Sequence, residues 1–280
     1  MNQLLKSISF LLVLLFIISL SVIAQELYVF SEPASNMPAK SISAKYSLKL
    51  LEGEHSGRTE QRHTPEIMFG LNKKWMIHTT GSFSDMYSTG VRWESVKLYA
   101  KYRFLSNDEV HKHFRMAAFL QGSYSRNNPY YDELSLEGDQ SGIQYGVIAT
   151  QLVNKLAVSA TLSNVQVLHS SRWPKTSSPS YPYQAIDYTV SAGYLLFPRN
   201  YTSYKQTNLN LYVELLGQKT YDLKRYYTDL APAIQLIFNS NAKLNLGYRF
   251  ELGSDMHRMS AQSWLISFER TFLNALSKNK

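Results

Sequence analysis

Residues 242–272, AKLNLGYRFELGSDMHRMSAQSWLISFERTF, show most clearly the pattern on which the chain is built. In the first half, apolar residues such as Leu244 and Leu246 alternate with polar ones such as Lys243 and Asn245. The second half alternates in the same way, through Trp264, Ile266, Phe268 and Phe272. A period of two predicts two β-strands with one apolar and one polar face each. Such a hairpin fits a soluble sandwich, with the apolar face inside, or a membrane barrel, with that face against lipid.

The same alternation recurs along the chain and predicts about twelve strands. Their predicted limits are 40–51, 63–71, 74–85, 91–105, 112–125, 142–153, 155–168, 184–197, 207–218, 228–239, 242–252 and 260–272. Long amphipathic helix patterns are absent from the sequence. Two prolines, Pro65 and Pro232, fall inside predicted strands, where each removes a ladder hydrogen bond; we expect local bulges there.

The lengths of the connections between strands distinguish a membrane barrel from a soluble sandwich. Four of the five connections after even-numbered strands are short turns, whereas those after odd-numbered strands are longer. Transmembrane barrels have short periplasmic turns and longer outer loops. A sandwich has no reason to sort its loops in this way, so the sequence predicts an antiparallel up-and-down barrel in a membrane.

Aromatic residues support the same topology. The chain has 20 Tyr, 13 Phe and 4 Trp. On this topology one group falls at the periplasmic strand ends: Phe69, Trp75, Phe104, Phe114, Phe197, Phe238 and Phe272. A second group falls toward the outer ends: Trp93, Tyr124, Tyr145, Tyr188 and Trp264. Two aromatic girdles at the lipid–water boundaries are typical of outer-membrane barrels.

The N-terminus predicts export. A basic start is followed by an apolar run and by Ala24-Gln25, which indicates a signal peptide over residues 1–24. Residues 25–39 carry two prolines and no alternation, so we expect an irregular segment in the periplasm or in the lumen. The barrel is predicted over 40–272 and a tail over 273–280. The chain has no cysteine, and its +8 charge is not gathered into the basic blocks typical of nucleic-acid binding.

Two short stretches carry a resemblance. Residues 29–38, VFSEPASNMP, resemble the opening of outer-membrane barrels from Bacteroidota. Residues 65–71, PEIMFGL, are similar to strands of outer-membrane channel families linked to the uptake of small organic molecules. The resemblance implies a bacterial outer-membrane barrel in contact with lipid and names no activity.

The polar faces of the predicted strands point into the lumen. The proposed lumen-lining residues are Lys45, Lys49, Glu66, His78, Glu94, Lys97, Lys101, Arg103, Arg115, Asp187, Glu214, Arg249, Glu251 and Glu269. A barrel of about twelve strands encloses a lumen wider than the packed interior of eight. These residues therefore predict a channel or binding lumen for small hydrophilic solutes, with a basic bias favouring anions. The alternative is a lumen filled by ion pairs, in a structural or adhesion protein.

Catalysis and metal binding have weaker support. A hydrolase needs a nucleophile with a base and an acid within reach; His78 near Ser82 and Ser84 lacks an acid at a telling spacing. Metal ligands could come from His111 and His113, or from the group Met256, His257 and Met259. Both groups are more typical of polar connections between strands than of metal sites. We predict no enzymatic activity, no metal and no cofactor. The loops 130–141 and 172–183 would either contact a partner or fold into the mouth of the barrel.

Overall fold

The computed structural model describes residues 28–53, 57–110, 112–128, 130–168, 181–198, 203 and 205–277. The predicted signal peptide and most of the loop 172–183 lie outside these ranges. Twelve antiparallel strands form one closed barrel, which confirms the predicted fold class. The strands are β1 Ser41–Glu52, β2 Thr59–Gly70, β3 Trp75–Ser84, β4 Arg92–Glu109, β5 Lys112–Ser125, β6 Gly142–Val153, β7 Leu156–Val167, β8 Gln184–Phe197, β9 Asn208–Thr220, β10 Tyr226–Phe238, β11 Ala242–Ser254 and β12 Gln262–Phe272.

Each strand pairs with its neighbours in the sequence, and β12 pairs with β1 to close the sheet. Closure matters because lipid supplies no partner for an unpaired strand edge, so a sheet that spans a membrane must have no edge. Within the described ranges no helix has the length and apolar character needed to span a bilayer.

The apolar face of the 242–272 hairpin points out of the barrel. Leu246, Trp264 and Phe268 are between 44% and 50% exposed, whereas Asn245 and Ser267 on the other face are buried inside. Exposed apolar residues continue around the wall, at Leu98, Leu120, Val147, Leu162, Val190 and Val213. A soluble protein would bury such rows, so this outer surface is the lipid-facing band of a membrane barrel.

The two ends of the barrel differ as predicted. We call the end that carries the connections after odd-numbered strands the loop end, and the opposite, periplasmic end the turn end. Exposed Trp75, Phe104 and Phe272 lie at the turn end. Exposed Trp93 and Tyr124 lie toward the loop end and stack on each other. Both predicted aromatic girdles are therefore present.

Most strands match their predicted limits to within two residues, but two strands extend four residues beyond them. Strand β2 begins at Thr59 rather than at residue 63, and β4 continues to Glu109 rather than ending at residue 105. The extra residues of β4 pair with the start of β5, where Asp108 lies opposite His113 and Glu109 opposite Lys112. Polar side chains occupy both faces of this ladder because it projects past the apolar band, so alternation could not predict it.

The prolines sit in intact strands. Pro65 lies opposite Tyr46 of β1, and Pro232 lies opposite Val213 of β9. On the other side of each proline the ladder is interrupted, but the register is the same before and after the gap. The missing N–H therefore costs ladder bonds on one side only, and the bulge expected at each proline is not needed.

Tyr188 packs over Gly217, its partner across the β8–β9 ladder. A Cβ atom at Gly217 would overlap the Tyr188 ring, and the Tyr188 hydroxyl lies 2.9 Å from Thr228 Oγ1. Glycine is required here because the aromatic ring occupies the space of a side chain. This contact ties three strands, β8, β9 and β10, together.

We expect Gly217→Val to destabilise the barrel by about 1–3 kcal/mol, because the added atoms displace the Tyr188 ring. The urea midpoint at which the folded band disappears from an unheated gel measures this change. Gly253→Val is the matched control, since nothing lies within 4 Å of a Cβ atom at Gly253. Equal midpoints for the two variants would contradict the prediction.

Candidate functional site: a polar chamber in the lumen

The chain before β1 lies inside the barrel. We call residues 28–38 the lumen segment. Its first residues are held by Glu214 of β9, whose Oε1 accepts the amides of Val29 and Phe30 at 2.8 and 2.9 Å. The other oxygen, Oε2, accepts the hydroxyl of Ser31 at 2.6 Å. One buried carboxylate on the wall thus satisfies three donors of the segment.

Lys101 of β4 holds the middle of the lumen segment. Its fully buried ammonium donates to the carbonyls of Pro33 and Ser35 at 2.7 and 3.0 Å, and pairs with Glu32 at 3.0 Å. Arg115 of β5 donates to the hydroxyl of Ser35. The segment therefore crosses the turn-end half of the lumen from β9 to β4 and β5.

The segment also covers the apolar part of the inner wall. Met37 packs on Met68 and Met76, and Ala34 packs on Ala117 and Ile148. Gly70 allows the close approach of Pro38, because a Cβ atom at Gly70 would overlap the Pro38 carbonyl oxygen. Apolar residues on the inner face of a membrane barrel need such a cover, since they would otherwise face water.

The connection between β5 and β6 fills the other half of the lumen. We call its described residues, 126–128 and 130–141, the inner loop. Arg62 of β2 pairs with Asp139 at 2.6 Å and with Glu94 of β4 at 3.1 Å. The side chains of Arg62, Glu94 and Asp139 are 2%, 0% and 3% exposed. This buried cluster fixes the end of the inner loop to the wall.

A second cluster fixes the middle of the inner loop. Glu133 pairs with Arg249 of β11 and with Arg258, each at 3.2 Å. Both arginines also pair with Asp229 of β10, which is fully buried. Nearby, Leu134 donates its amide to Gln218, and Leu134 and Leu136 pack on the inner wall of β7 and β8.

A chamber of about 370 Å³ remains between the lumen segment and the inner loop. The strands supply five cations to its lining, Lys45, Lys49, Arg62, Lys97 and Arg249, and two carboxylates, Glu66 and Asp187. The segment and the loop supply four more carboxylates, Glu32, Glu133, Glu137 and Asp139. The barrel wall is thus basic by itself, and the acids that balance it come from the two segments inside it.

All fourteen residues proposed from the sequence to line the lumen lie within the barrel, in different settings. Seven line the chamber: Lys45, Lys49, Glu66, His78, Lys97, Asp187 and Arg249. The other seven lie outside the chamber: Glu94, Lys101, Arg103, Arg115, Glu214, Glu251 and Glu269. Lys101, Arg115 and Glu214 hold the lumen segment, and Glu94 is bound to Arg62. Their role as a solute-contacting lining stays a prediction.

The remaining three, Arg103, Glu251 and Glu269, have other contacts toward the two ends of the barrel. Arg103 lies near Arg115 toward the turn end. Glu269 pairs with Lys243, and Glu251 pairs with Arg258 at 3.0 Å. Residue spacing alone could not separate these positions from the chamber, because strand alternation assigns a face and not a neighbour.

The acids of the inner loop and two of their arginine partners, Arg62 and Arg258, were missed as site residues from the sequence; a third partner, Arg249, was proposed. Glu133, Glu137 and Asp139 lie within one short stretch of a chain rich in Lys and Arg. That local acidity was the available signal, because acids in a loop find partners on a basic wall. Of the two expected placements for the loop 130–141, the structure has the one inside the mouth.

The histidines considered for catalysis or metal binding have ordinary contacts where they are described. His78 Nδ1 lies 3.3 Å from Glu66, and its ring packs at a tilt against Tyr99. His257 stacks on Tyr131. His111 lies outside the described residues. Among the residues the structure describes, His, Asp and Glu form no group of three that could hold a metal ion.

Electrostatics favour the charged forms of the loop carboxylates. Burial alone would raise the pKa of Glu133, but Arg258 and Arg249 hold that pKa below its usual value. The charge of Lys49 has the largest effect on Glu137, larger than that of burial. It holds the pKa of Glu137 well below its usual value. Both pairs therefore favour the docked loop whenever these carboxyls are ionised.

No family model matches the sequence, and no curated protein matches it. Solved outer-membrane structures do match the fold. An outer membrane channel from Pseudomonas putida F1 has a TM-score of 0.60 at 12% identity, covering 88% of this chain and 100% of that chain. The KdgM porin and the NanC porin each have a TM-score of 0.51, at 9% and 11% identity. Both matches cover 82% of this chain. They cover 99% of the KdgM chain and 98% of the NanC chain.

The closed barrel, its apolar band and its two girdles define a transmembrane β-barrel of the bacterial outer membrane. Within that class the fold is porin-like, similar to the three channels above, and the identities limit this likeness to the fold. A Bacteroidota origin stays a prediction.

We expect Arg62→Met to release the inner loop. The substitution leaves Glu94 and Asp139 buried without their cation, which costs about 3–5 kcal/mol for a buried pair. A glutamyl endopeptidase should then cleave after Glu133 and Glu137, while the native loop resists. Lys219→Met, which removes an exposed cation near the same end, is the control. Resistance of the Arg62→Met loop to cleavage would argue against this anchor.

We expect docking of the inner loop to persist from neutral pH through the usual glutamate range near pH ~4.3 and to fail only below it. A carboxylate with a lowered pKa stabilises the docked state above its ordinary pKa, and this stabilisation is lost as pH falls toward the docked-state value. A dye on Tyr130→Cys, in a chain without other cysteines, would report the transition. A transition centred above pH ~5 would contradict the assignment.

Proposed function

We propose that this protein is an outer-membrane channel or solute-binding barrel for small hydrophilic molecules. The observation that carries the proposal is the polar chamber inside the barrel, which is lined by charged side chains from β1, β2, β4, β8 and β11 and from the lumen segment and the inner loop. Its volume, about 370 Å³, lies within the ~300–1,000 Å³ range of sites for small molecules. The fold-level likeness to proteins named as porins and channels supports the same reading.

Passage through the chamber requires movement of the two segments that bound it. Residues 29–32 line it on the turn side, and residues 131 and 133–137 line it on the loop side. Both are held by hydrogen bonds and ion pairs from side chains, not by strand ladders. Such contacts can break without opening the barrel, so the wall can persist while the lumen opens.

The charge of the wall supports a preference for anions once a segment moves. Strand residues alone give the chamber five cations and two carboxylates. A pore with excess positive charge concentrates anions through its electrostatic potential. The excess of basic residues on the barrel wall supports the anion preference proposed from the sequence. The acidic residues of the lumen segment and the inner loop offset this positive charge while both segments are docked.

A second candidate function is a structural or adhesion barrel with a filled lumen. The paired clusters around Arg62 and Arg258 favour it, because they close much of the loop-end half of the lumen. The two candidates differ in one measurable property. A channel conducts, at rest or after release of a segment, and a filled structural barrel does not.

We expect the purified protein to conduct weakly in planar bilayers and Glu214→Ala to conduct several-fold more. The substitution removes the acceptor of the Val29, Phe30 and Ser31 donors, so the first residues of the lumen segment, which border the chamber, leave the wall. In a salt gradient the reversal potential should have the sign of anion preference.

Glu109→Ala, which removes an exposed carboxylate from the turn end of β4, is the control and should conduct as the native protein does. A heat-modifiable band on an unheated gel verifies that each barrel is folded. Folded native and Glu214→Ala barrels that are both silent would sink the channel proposal in favour of the filled lumen. Conduction with a preference for cations would contradict the proposed anion preference but not the channel proposal.

A further inference from the structure

One carboxylate in the chamber bridges two lysines from different strands. Glu137 of the inner loop lies with Oε2 2.8 Å from Lys49 Nζ and Oε1 3.9 Å from Lys97 Nζ. Lys49 is on β1 and Lys97 is on β4. The Glu137 side chain is 50% exposed, and those of the two lysines are 20% and 15% exposed. All three line the chamber, so the pair can be reached from it.

The wall between the two lysines is lined with hydroxyl groups. Ser47 lies opposite Thr64 on the β1–β2 ladder, and Ser82 lies opposite Ser95 on the β3–β4 ladder. All four residues line the chamber. A carboxylate held by both ammonium groups would therefore have hydroxyl donors and acceptors beside it. This surface suits a solute that carries a carboxylate and hydroxyl groups.

The Glu137 contact differs from the other anchor of the same loop. Arg62 and Asp139 also border the chamber, but their side chains are only 2% and 3% exposed, so their ion pair is shielded from water. Glu137 is half exposed, so its pair with Lys49 is open to water and is weaker than the shielded Arg62–Asp139 pair. The loop can thus stay attached through Asp139 while Glu137 leaves its lysines.

We propose that Lys49 and Lys97 form a carboxylate-binding site which the loop's own Glu137 occupies, and that the carboxylate of a small hydroxylated solute displaces Glu137 from it. This inference rests on the proposed function, since it names the solute class of the same chamber. Displacement removes one of the loop acids that neutralise the basic wall. The solute therefore both binds the site and weakens the docking of the inner loop.

In the native protein, Glu137 competes with a free solute for the two lysines, so the affinity for the solute is low. Glu137 is part of the same chain, so it competes at a high effective concentration and reduces the apparent affinity for a free carboxylate. Glu137→Gln keeps the size of the side chain but removes its charge. The lysines are then available to the solute.

The test is equilibrium binding of gluconate to the purified full-length protein by calorimetry, with sorbitol as the probe that lacks the carboxylate. Glu137→Gln should bind gluconate about three- to tenfold more tightly than the native protein, because it lacks the competing pair. The double variant Lys49→Met/Lys97→Met should lose gluconate binding. Glu109→Gln, which removes a carboxylate far from the chamber, should match the native protein. Sorbitol should bind none of them.

Unchanged or weaker gluconate binding by folded Glu137→Gln, or equal binding of sorbitol, would overturn the proposal. Folding is verified by heat-modifiable migration; if Glu137→Gln does not fold, Lys49→Met alone must lower the affinity of the otherwise native chain. Binding needs no conduction, so the two proposals can fail separately. A silent barrel that binds gluconate rejects the channel only, and a conducting barrel with the wrong binding order rejects this site only.

Discussion

The structure depends on one constraint: charged side chains inside a membrane-spanning wall must have partners. A twelve-stranded barrel closes its backbone hydrogen bonds completely, but it encloses a lumen too wide for its own side chains to fill. Buried ions without partners are costly. The lumen segment and the inner loop answer this constraint, since Glu214 and Lys101 bind the first and Arg62 binds the second.

The same constraint divides the lumen into firm and exchangeable contacts. Arg62, Glu94 and Asp139 exclude water and satisfy one another. Glu137 meets Lys49 and Lys97 where the chamber admits solvent. Shielded pairs are costly to break from one side, whereas exposed pairs exchange with little change in free energy. A lumen built in this way can keep its shape while a solute enters one part of it.

Much of the fold could be predicted from the sequence because strand alternation is a local property. The alternation of Leu244 and Leu246 with polar residues predicted the two faces of the closing hairpin. The lengths of the connections predicted which end of the barrel is periplasmic. The extension of β4 to Glu109 could not be predicted, because alternation disappears where a ladder leaves the lipid. Inward apolar residues such as Met68 and Ile148 were an unused signal that something covers the inner wall.

Sequence patterns alone predicted about twelve strands, a closed barrel, the lipid-facing surface and many of the charged residues that point inward. Each of these follows from the period of two and from the turns between strands. Which charged residues meet became known from the folded structure alone. It turned Lys101 and Glu214 toward the lumen segment, and it brought Glu137 to two lysines on separate strands. Those contacts join residues far apart in the chain, and no local pattern encodes which loop enters a lumen or which wall it touches.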